Sequence, residues 1–571
     1  MILVFGGTTE GRKAVEVLEE AGKTYFYSTK TGEQELTLHH GVRIDGAMDD
    51  EAMQQFCLEH DIRLIVDASH PFALVLHETI AQVAERLQLH VVRYDRIYPP
   101  RDPDIMWIDD YAQVPTDIHS LLATTGVQSI RKLKWLEAKG VKVYYRILQR
   151  ESSISLAKAQ GAAINQLCFY EDGNTIDTDA DAILLKESGE SGGFSEKVAA
   201  ARRKGMRIIA LKRPLMPTTQ AQSTVNGPYG LRRAVEHILP DFFPLHSGLT
   251  TGTCATAAVV AATQHLLSGT FPSDVPVRLA NGETMNVPVG FDHETAYCIK
   301  DFSDDPDVTR GCKIMAKVSF SNCGSSIRFL HGEGVGRVTL PGLGIPVGEP
   351  AINPTPRQMI IEAVRELTNA DLDITISVEN GRELATRTFN QRVGVVDGIS
   401  IIGTSGIVMP LSNEAFMESI GRELKVARAI GCDAVGLASG KKGEEALLAN
   451  EPSLRVIHYG NFIGAALEKA YALGFRRVVL GIMLGKAVKL AEGHLDTHSH
   501  KVLMNKAFLK DVATEVGVAD AESILDRITL ARELWDLMPP AFFARLQILC
   551  LNHCRTVFPD GELDIQIIRN E

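Results

Sequence analysis

Hydrophobic and polar positions change period along the chain, and the changes mark its units. Up to residue 240, short and mostly apolar runs at Ile2–Phe5, Thr24–Tyr27, Arg63–Val66, Val141–Ile147, Ile183–Leu185 and Arg207–Leu211 each end in a polar or glycine-rich loop, with helix-period segments between them. Such runs predict strands buried on both faces of parallel sheets. A helix over 226–239 is broken by Pro240 and Pro244, which places a boundary there. Residues 276–380 alternate with period two, and Asn380-Gly381 predicts a tight hairpin turn among them. Ile399–Ile402 reads as another strand buried on both faces. It runs into Gly403-Thr404-Ser405-Gly406 and then into a helix capped by Ser412, with Glu414 in its first turn and Gly431 as its stop. Strands at Ala434–Leu437, Val456–Tyr459 and Arg477–Ile482 follow, each feeding a helix through a loop. The expected fold class is α/β multidomain: two Rossmann-like units over 1–115 and 116–240, a linker over 241–247, an α+β unit over 248–390 and a parallel-sheet Rossmann-like unit over 391–571.

Loops at the strand ends carry the candidate chemistry. Gly6-Gly7-Thr8-Thr9-Glu10-Gly11 follows the first strand and opens a helix, so its amides can hold a phosphate; the outer glycines keep the spacing of GxGxxG while the middle one is displaced. Ser28 and Thr29 end the second strand with Lys30 beside them, where NAD sites carry an acid, which leans the site towards NADPH over NADH. Asp67 and His70 can orient a substrate or trade a proton; equally, Asp67 can cap the next helix with His70 packed on it. Arg93 and Arg96 suit carboxylate recognition or a solvated surface. Lys186, Ser188 and Gly192 lie in a second glycine loop, and two nucleotide-type units leave a cleft for a ligand.

In the second half, Gly403–Gly406 joins backbone freedom to the hydroxyls of Thr404 and Ser405, and reads as a cofactor loop or as an ordinary crossover. Asp304, Asp305 and Asp307 could hold magnesium, but Pro306 and the short spacing favour a turn or a substrate loop. Gly460 and Asn461 form another loop at a strand end. Lys300, Arg337 and Lys486 are candidate cations for an acidic substrate. His494, His498 and His500 could bind zinc if their loop folds back; no resident metal is expected.

Composition narrows the classes. With 571 residues, 45% hydrophobic and 23% charged, the chain is ordinary globular protein, long enough for several cores. A net charge of −12 argues against general nucleic-acid binding. Nine cysteines without a CxxC pair fit a reducing compartment. No signal peptide and no apolar run of about 18 residues are seen, so a cytoplasmic location without a membrane partner is expected, and a homo-oligomer is left open.

GGTTEG at 6–11, DASHPF at 67–72, RYDR at 93–96, TTG at 124–126 and KESGESGGFSEKV at 186–198 together resemble precorrin-6A reductase of cobalamin biosynthesis, over about residues 1–240. The resemblance implies hydride transfer from NADPH or NADH to a corrin-ring precursor. Residues 165–172 depart from that family's pattern. Leu249–Ala258, KDFSDDPDVT, GEGVGRVTLPGLGIPVGEPAINP, GISIIGTSGIVMPLS, GNFIG and GKAVKLAEGHLDTHS resemble cobalt-precorrin-5B C1-methyltransferase, over roughly 248–560. This second resemblance implies S-adenosyl-L-methionine as cofactor and a tetrapyrrole (cobalt-precorrin) substrate methylated at C1. It carries over Thr497, His498 and Ser499, and by layout places the cofactor at Gly403–Gly406 and Gly460–Gly464. Met483 and Asp496 depart from its motifs. The expectation is a bifunctional enzyme for successive steps of corrin-ring synthesis. A nucleotide-binding redox sensor and a zinc hydrolase using the 494–500 histidines are the competing classes.

Overall fold

A computed structural model describes all residues except 31, 33, 170–175, 177, 220, 323, 325–326, 411, 499–503 and 570–571. Contacts divide the chain into a first unit of residues 1–246 with 278–285, and a second of 247–277 with 286–571.

The first unit is built on twelve strands: β1 Ile2–Phe5, β2 Tyr25–Thr29, β3 Gly41–Asp45, β4 Leu64–Asp67, β5 His90–Tyr94, β6 Met106–Ile108, β7 Ser120–Ala123, β8 Lys142–Ile147, β9 Leu167–Phe169, β10 Ala182–Lys186, β11 Arg207–Leu211 and β12 Gln222–Val225. They form two six-stranded sheets, ordered β12-β5-β4-β1-β2-β3 and β6-β11-β10-β7-β8-β9. Every pairing in both is parallel. Each sheet repeats the strand order of dinucleotide-binding folds, in which the crevice lies at the carboxyl ends of the strands where the order reverses. Those points fall between β1 and β4 in one lobe and between β7 and β10 in the other. Core side chains cover both faces of each sheet, the reason the strands read as unbroken apolar runs.

Each sheet takes its last strand from across the chain. β6, ahead of residue 116, joins the second sheet, and β12 with helix Pro228–Ile238 returns to the first. Sequence reading had no signal for this exchange. β6 is three residues long, and β12 is a polar, half-exposed edge strand.

The second unit begins with helix Thr251–Ser268, buried nearly all round and rich in alanine, which lets neighbours approach its backbone. It packs on helix Pro354–Leu367 and on a five-stranded sheet of Gly290–Asp292, Thr295–Ile299, Lys313–Phe320, Leu372–Val378 and Ile327–His331, in that spatial order. Asn380-Gly381 makes no hairpin: Asn380 takes a left-handed conformation (φ 56°) and starts the short helix Gly381–Ala385. Ile399–Ile402 is not a strand of the parallel sheet. Its buried residues Ile399 and Ile401 make only isolated bridges, to Val335 and Ile352.

The parallel sheet comprises Val456–His458, Ala434–Ala438, Arg477–Met483 and Glu562–Ile568, in that order, with its main core on one face and a smaller one around Leu447 and Val479 on the other. From Ala434–Ala438 the chain crosses outward to Val456–His458 and then back past it to Arg477–Met483. The order reverses at the ends of these strands, placing a crevice beside Ser439–Gly440 and Gly485–Lys486.

Candidate functional site

In the first unit, helix Thr9–Glu19 starts at the β1/β4 switch point. Thr8 caps it, accepting from the Gly11 amide at 3.0 Å while donating to the Ala68 carbonyl at 2.6 Å, which ties the Gly6–Gly11 loop to the strand end that bears Asp67. Gly6 is required by the fold: a Cβ there would fall 2.2 Å from the Tyr27 hydroxyl, which also accepts from the Gly7 amide at 3.1 Å. Gly7, at φ 84°, has nothing within 4 Å of a built Cβ, so the outer side of the loop is open. Ser28 and Thr29 are buried, and Thr29 donates to Asp45 at 2.9 Å, so the neighbouring strand brings an acid to the place where β2 itself has none.

Asp67 stands in a buried network. Its carboxylate meets His77 Nδ1 at 2.6 Å, Arg93 at 2.9 Å and the Ser69 hydroxyl at 2.6 Å. Burial alone would raise this carboxyl, but the His77 hydrogen bond and the Arg93 charge outweigh it and bring it down to about 2. Arg93 is 4% exposed and further engaged with the Asp67 and Ser69 carbonyls, so it braces the loop rather than facing an open surface. Nor is Arg96 exposed: it pairs with buried Glu10 at 3.0 Å and donates to the Ser188 carbonyl at 2.7 Å. Ser191 also donates to Glu10. Glu10 and Arg96 thereby bind the first glycine loop to the 188–192 loop across the two lobes.

His70 and Lys186 share the same cleft. The Phe72 amide donates to His70 Nδ1 at 3.2 Å, leaving Nε2 as the protonated nitrogen of the neutral ring. Burial, then the charges of Arg96 and Lys186, lower His70 to about 3, so the ring is neutral at physiological pH. The Lys186 ammonium lies 4.9 Å from the centre of the Phe72 ring. Burial, followed by the charge of Lys132, brings it down to about 8. No ion pair or hydrogen bond holds it among the described residues, which leaves it available to an anion. Sequence reasoning missed His77, which a helical spacing of ten residues hides from the Asp67 loop, and the two-pronged Arg101–Glu187 pair at 3.0 and 2.9 Å that fastens the β10 loop.

In the second unit the expected residues fall into groups. The Gly403–Gly406 loop wraps the start of helix Thr251–Ser268. The Ile402 and Gly406 carbonyls accept from the amides of Gly252 and Thr250 at 2.8 and 3.1 Å, and from the hydroxyls of Thr251 and Thr253 at 3.2 and 2.6 Å. Gly403, at φ 144°, would put a Cβ 2.3 Å from Thr250 Oγ1. Ser405 donates to the Ile407 carbonyl and Thr404 to Glu418, so the glycines and hydroxyls of this loop are engaged within the protein. Beside it, Lys300 is 1% exposed and paired with Asp307 at 2.8 Å, and Asp307 also receives Thr309; the ammonium shapes its loop rather than meeting solvent. Asp304 is exposed and Asp305 half-buried in the same turn.

Gly460, Asn461, Lys486, Thr497 and His498 do come together at the carboxyl edge of the parallel sheet. Lys486 donates to the Gly460 carbonyl, Thr497 donates through its amide to the Asn461 carbonyl at 3.0 Å, and the His498 amide donates to Asp496 at 3.2 Å. Burial, then Lys489, brings Lys486 down to about 8. Phe416 of helix Asn413–Ala429 rests against Gly460, and Glu418 of the same helix takes the Thr404 hydroxyl, linking this group to the previous one. Arg337 lies apart, exposed, close enough to His331 to hold its imidazole below the usual range after burial. Ser499 and His500 lie outside the described residues. Among the described residues no cluster of three or more histidine, cysteine or acidic side chains is arranged to hold a metal, and His494 lies 3.8 Å from Glu492.

The crevice also contains a motif that sequence reasoning passed over. Ala438-Ser439-Gly440-Lys441-Lys442-Gly443 leaves a buried strand and opens helix Lys441–Asn450, with the spacing of G-x-G-x-x-G and alanine in the first place. A Cβ on Gly440 would meet nothing within 4 Å, and one on Gly443 would sit 3.1 Å from Ala438 Cβ, so the first is open and the second sets close helix–strand packing.

Two lobes with the strand order of dinucleotide-binding folds, followed by a unit with a smaller parallel sheet of its own, make this a multidomain α/β protein. Residues 1–228 match the family model described as precorrin-6x reductase CbiJ/CobK, and residues 241–410 match the model described as CbiD. The chain is 40% identical over 345 residues to a cobalt-precorrin-5B C(1)-methyltransferase of Prosthecochloris aestuarii, covering 57% of this chain and 94% of that protein. To the protein of that name from Agrobacterium fabrum it is 44% identical over 285 residues, covering 48% and 76%. The chain therefore belongs to the cobalt-precorrin-5B C(1)-methyltransferase family, with a region of the precorrin-6x reductase family ahead of it. Among solved structures, it resembles the cobalamin biosynthesis protein cbiD from Archaeoglobus fulgidus at 29% identity and a TM-score of 0.26, over 45% of this chain and 83% of that one. It also resembles a CobK precorrin-6A reductase at 17% identity and a TM-score of 0.34, over 42% and 96%. No helix among the described residues is long and apolar enough to cross a membrane.

Proposed function

We propose that the chain catalyses two successive steps of cobalamin biosynthesis: methylation of cobalt-precorrin-5B at C1 by the second unit, and reduction of the resulting precorrin-6A-type ring by the first. The 40% identity that spans 94% of a cobalt-precorrin-5B C(1)-methyltransferase carries the first half of this reading. The reductase match over residues 1–228 carries the second.

A nicotinamide nucleotide fits the β1/β4 switch point, where the open face of Gly7 and the first amides of helix Thr9–Glu19 would hold its phosphates. It would supply hydride. Ser28, Thr29 and Asp45 would meet the ribose next to the adenine, and titration with NADPH and NADH separately decides which is used. Lys186 and neutral His70 face the same cleft and would hold a ring carboxylate and donate a hydrogen bond to the ring. S-adenosyl-L-methionine fits the second crevice, with Ser439–Gly443 and Gly460–Asn461 as its loops, and would supply the methyl group; Lys486 and exposed Arg337 would meet substrate carboxylates. Purified protein given cobalt-precorrin-5B and S-adenosyl-L-methionine should yield a product heavier by one methylene, and adding a nicotinamide nucleotide should add two hydrogens. A chain that binds both cofactors but leaves the tetrapyrrole mass unchanged would refute this reading.

A further inference from the structure

We propose that His458 is the general base of the second unit, taking on Nδ1 the proton that the ring loses on methylation, and that Glu444 and Arg392 position it. This rests on the methyltransferase reading above and adds the proton acceptor that reading lacks.

His458 ends the edge strand of the parallel sheet, on the same carboxyl edge as Ser439–Gly440 and just ahead of Gly460. Its Nε2 stands 2.8 Å from a Glu444 carboxylate oxygen. That carboxylate is in turn held by one nitrogen of Arg392, at 2.8 and 2.6 Å from its two oxygens. A carboxylate accepting from Nε2–H selects the tautomer with an unprotonated Nδ1, and Nδ1 has no partner among the described residues. An imidazole so oriented, with one nitrogen free and a carboxylate behind the other to stabilise the imidazolium, has the base arrangement of nucleophilic triads with the two ring nitrogens exchanged. The side chain is 22% exposed.

The surrounding charges are consistent with this role. Glu423, on helix Asn413–Ala429, lies 3.9 Å from Arg392, Arg422 adjoins it on that helix, and Arg455 donates to the Arg392 carbonyl. Burial pushes the Glu423 carboxyl up. For Glu444 burial acts the same way, but the hydrogen bond and charge of Arg392 and the His458 bond outweigh it and hold that carboxyl down. Two neighbouring carboxylates driven apart in this way are a mark of acid–base sites.

In the step itself the bond from sulfur to methyl breaks with its electron pair left on sulfur, and a π pair of the ring forms the new carbon–carbon bond. The ring then carries one more positive charge and restores its balance by losing a proton. His458 Nδ1 accepts that proton, Glu444 stabilises the imidazolium, and the proton passes to solvent.

The test begins on the full chain without ligands. Long-range 1H–15N spectra should show His458 as the Nε2–H tautomer, and Glu444→Gln should disturb it. In the methylation assay His458→Gln should lower kcat about 100-fold while S-adenosyl-L-methionine affinity stays within about twofold. His458→Gly should regain rate with added imidazole. Glu444→Gln should shift the acid limb of the pH profile, and it decides the matter if the His458 variants do not fold. An Nδ1–H tautomer in the wild type, or a folded His458→Gln variant with wild-type kcat and pH profile, overturns the assignment. Wild-type chain that transfers no methyl group overturns the functional reading, and this inference with it.

Discussion

The loops Gly6–Gly11 and Gly403–Gly406 look alike in sequence: each follows an apolar run, carries two or more glycines and hydroxyls, and leads to a capped helix. In the structure they do opposite things. The first opens at the switch point of a parallel sheet, with one face of Gly7 in free space. The second is packed against the start of helix Thr251–Ser268, its carbonyls used as acceptors and Gly403 pressed on Thr250. What separates them is the strand before the loop. Ile2–Phe5 lies inside a six-stranded parallel sheet, whereas Ile399–Ile402 touches its neighbours only through isolated bridges.

Disrupting the frame of the first loop has the largest expected effect. Asp67→Ala leaves Arg93 and His77 buried without their carboxylate, and should cost about 3–5 kcal/mol, read by denaturant unfolding of the first unit. The linkage has a definite sign. A carboxyl held at about 2 in the folded protein and near 3.8 unfolded stabilises the fold above pH 4, and that contribution is lost as pH falls from 4 towards 2. The acid loss should therefore be smaller in the variant than in the wild type.

The two glycines sharpen the contrast. Gly403→Ala should destabilise the second unit by about 2–3 kcal/mol, because the new Cβ meets Thr250 in a conformation that L-residues avoid. Gly7→Ala should cost only about 1 kcal/mol but weaken nicotinamide nucleotide binding about tenfold, measured by calorimetry. Were Gly403→Ala to keep its stability and lose S-adenosyl-L-methionine instead, the cofactor reading of that loop would return. Gly440→Val makes the converse test: it should weaken S-adenosyl-L-methionine binding at least about tenfold with little loss of stability.

Lys186 offers a subtler check. Its folded-state pKa lies below the ordinary 10.5, so the folded protein gives up this proton before the unfolded chain does, and the burden of burying the charge is fully present below about pH 8. Lys186→Met should therefore be more stable than wild type at pH 7, with the advantage fading between pH 8 and 10.5, while substrate KM rises. Thr404→Ala sits at the small end. Its hydroxyl serves an exposed contact with Glu418, so both cofactor affinity and stability should stay near wild type.

Much of this was legible in the residues. Unbroken apolar runs such as Ile2–Phe5 and Ile183–Leu185 read as strands covered on both faces, because an exposed face would have required alternating polar positions, and Ile399–Ile402 is the run for which that reading fails. The glycine loop after Ile2–Phe5 and the Asp67–Phe72 loop could be placed at strand ends for the same reason. Asn380-Gly381 shows the limit of such local reading: a left-handed asparagine serves a helix start as well as a hairpin, and no cross-strand partner was available to select the hairpin.

Chain order alone could not reveal which strands become neighbours. The exchange of β6 and β12 brings residues far apart in sequence into each lobe, and Arg96 likewise meets Glu10 and the Ser188 carbonyl only in the folded unit. Likewise, Arg392, Glu444 and His458 are spread over the second unit's sequence and meet only because the sheet sets the end of Val456–His458 beside the start of the preceding helix, Lys441–Asn450. Local composition decides which segments are strands and helices through backbone preference and burial. Which polar groups face a ligand and which face each other depends on contacts between distant segments, since a buried hydroxyl, amide or charge takes whichever partner the packing brings within reach.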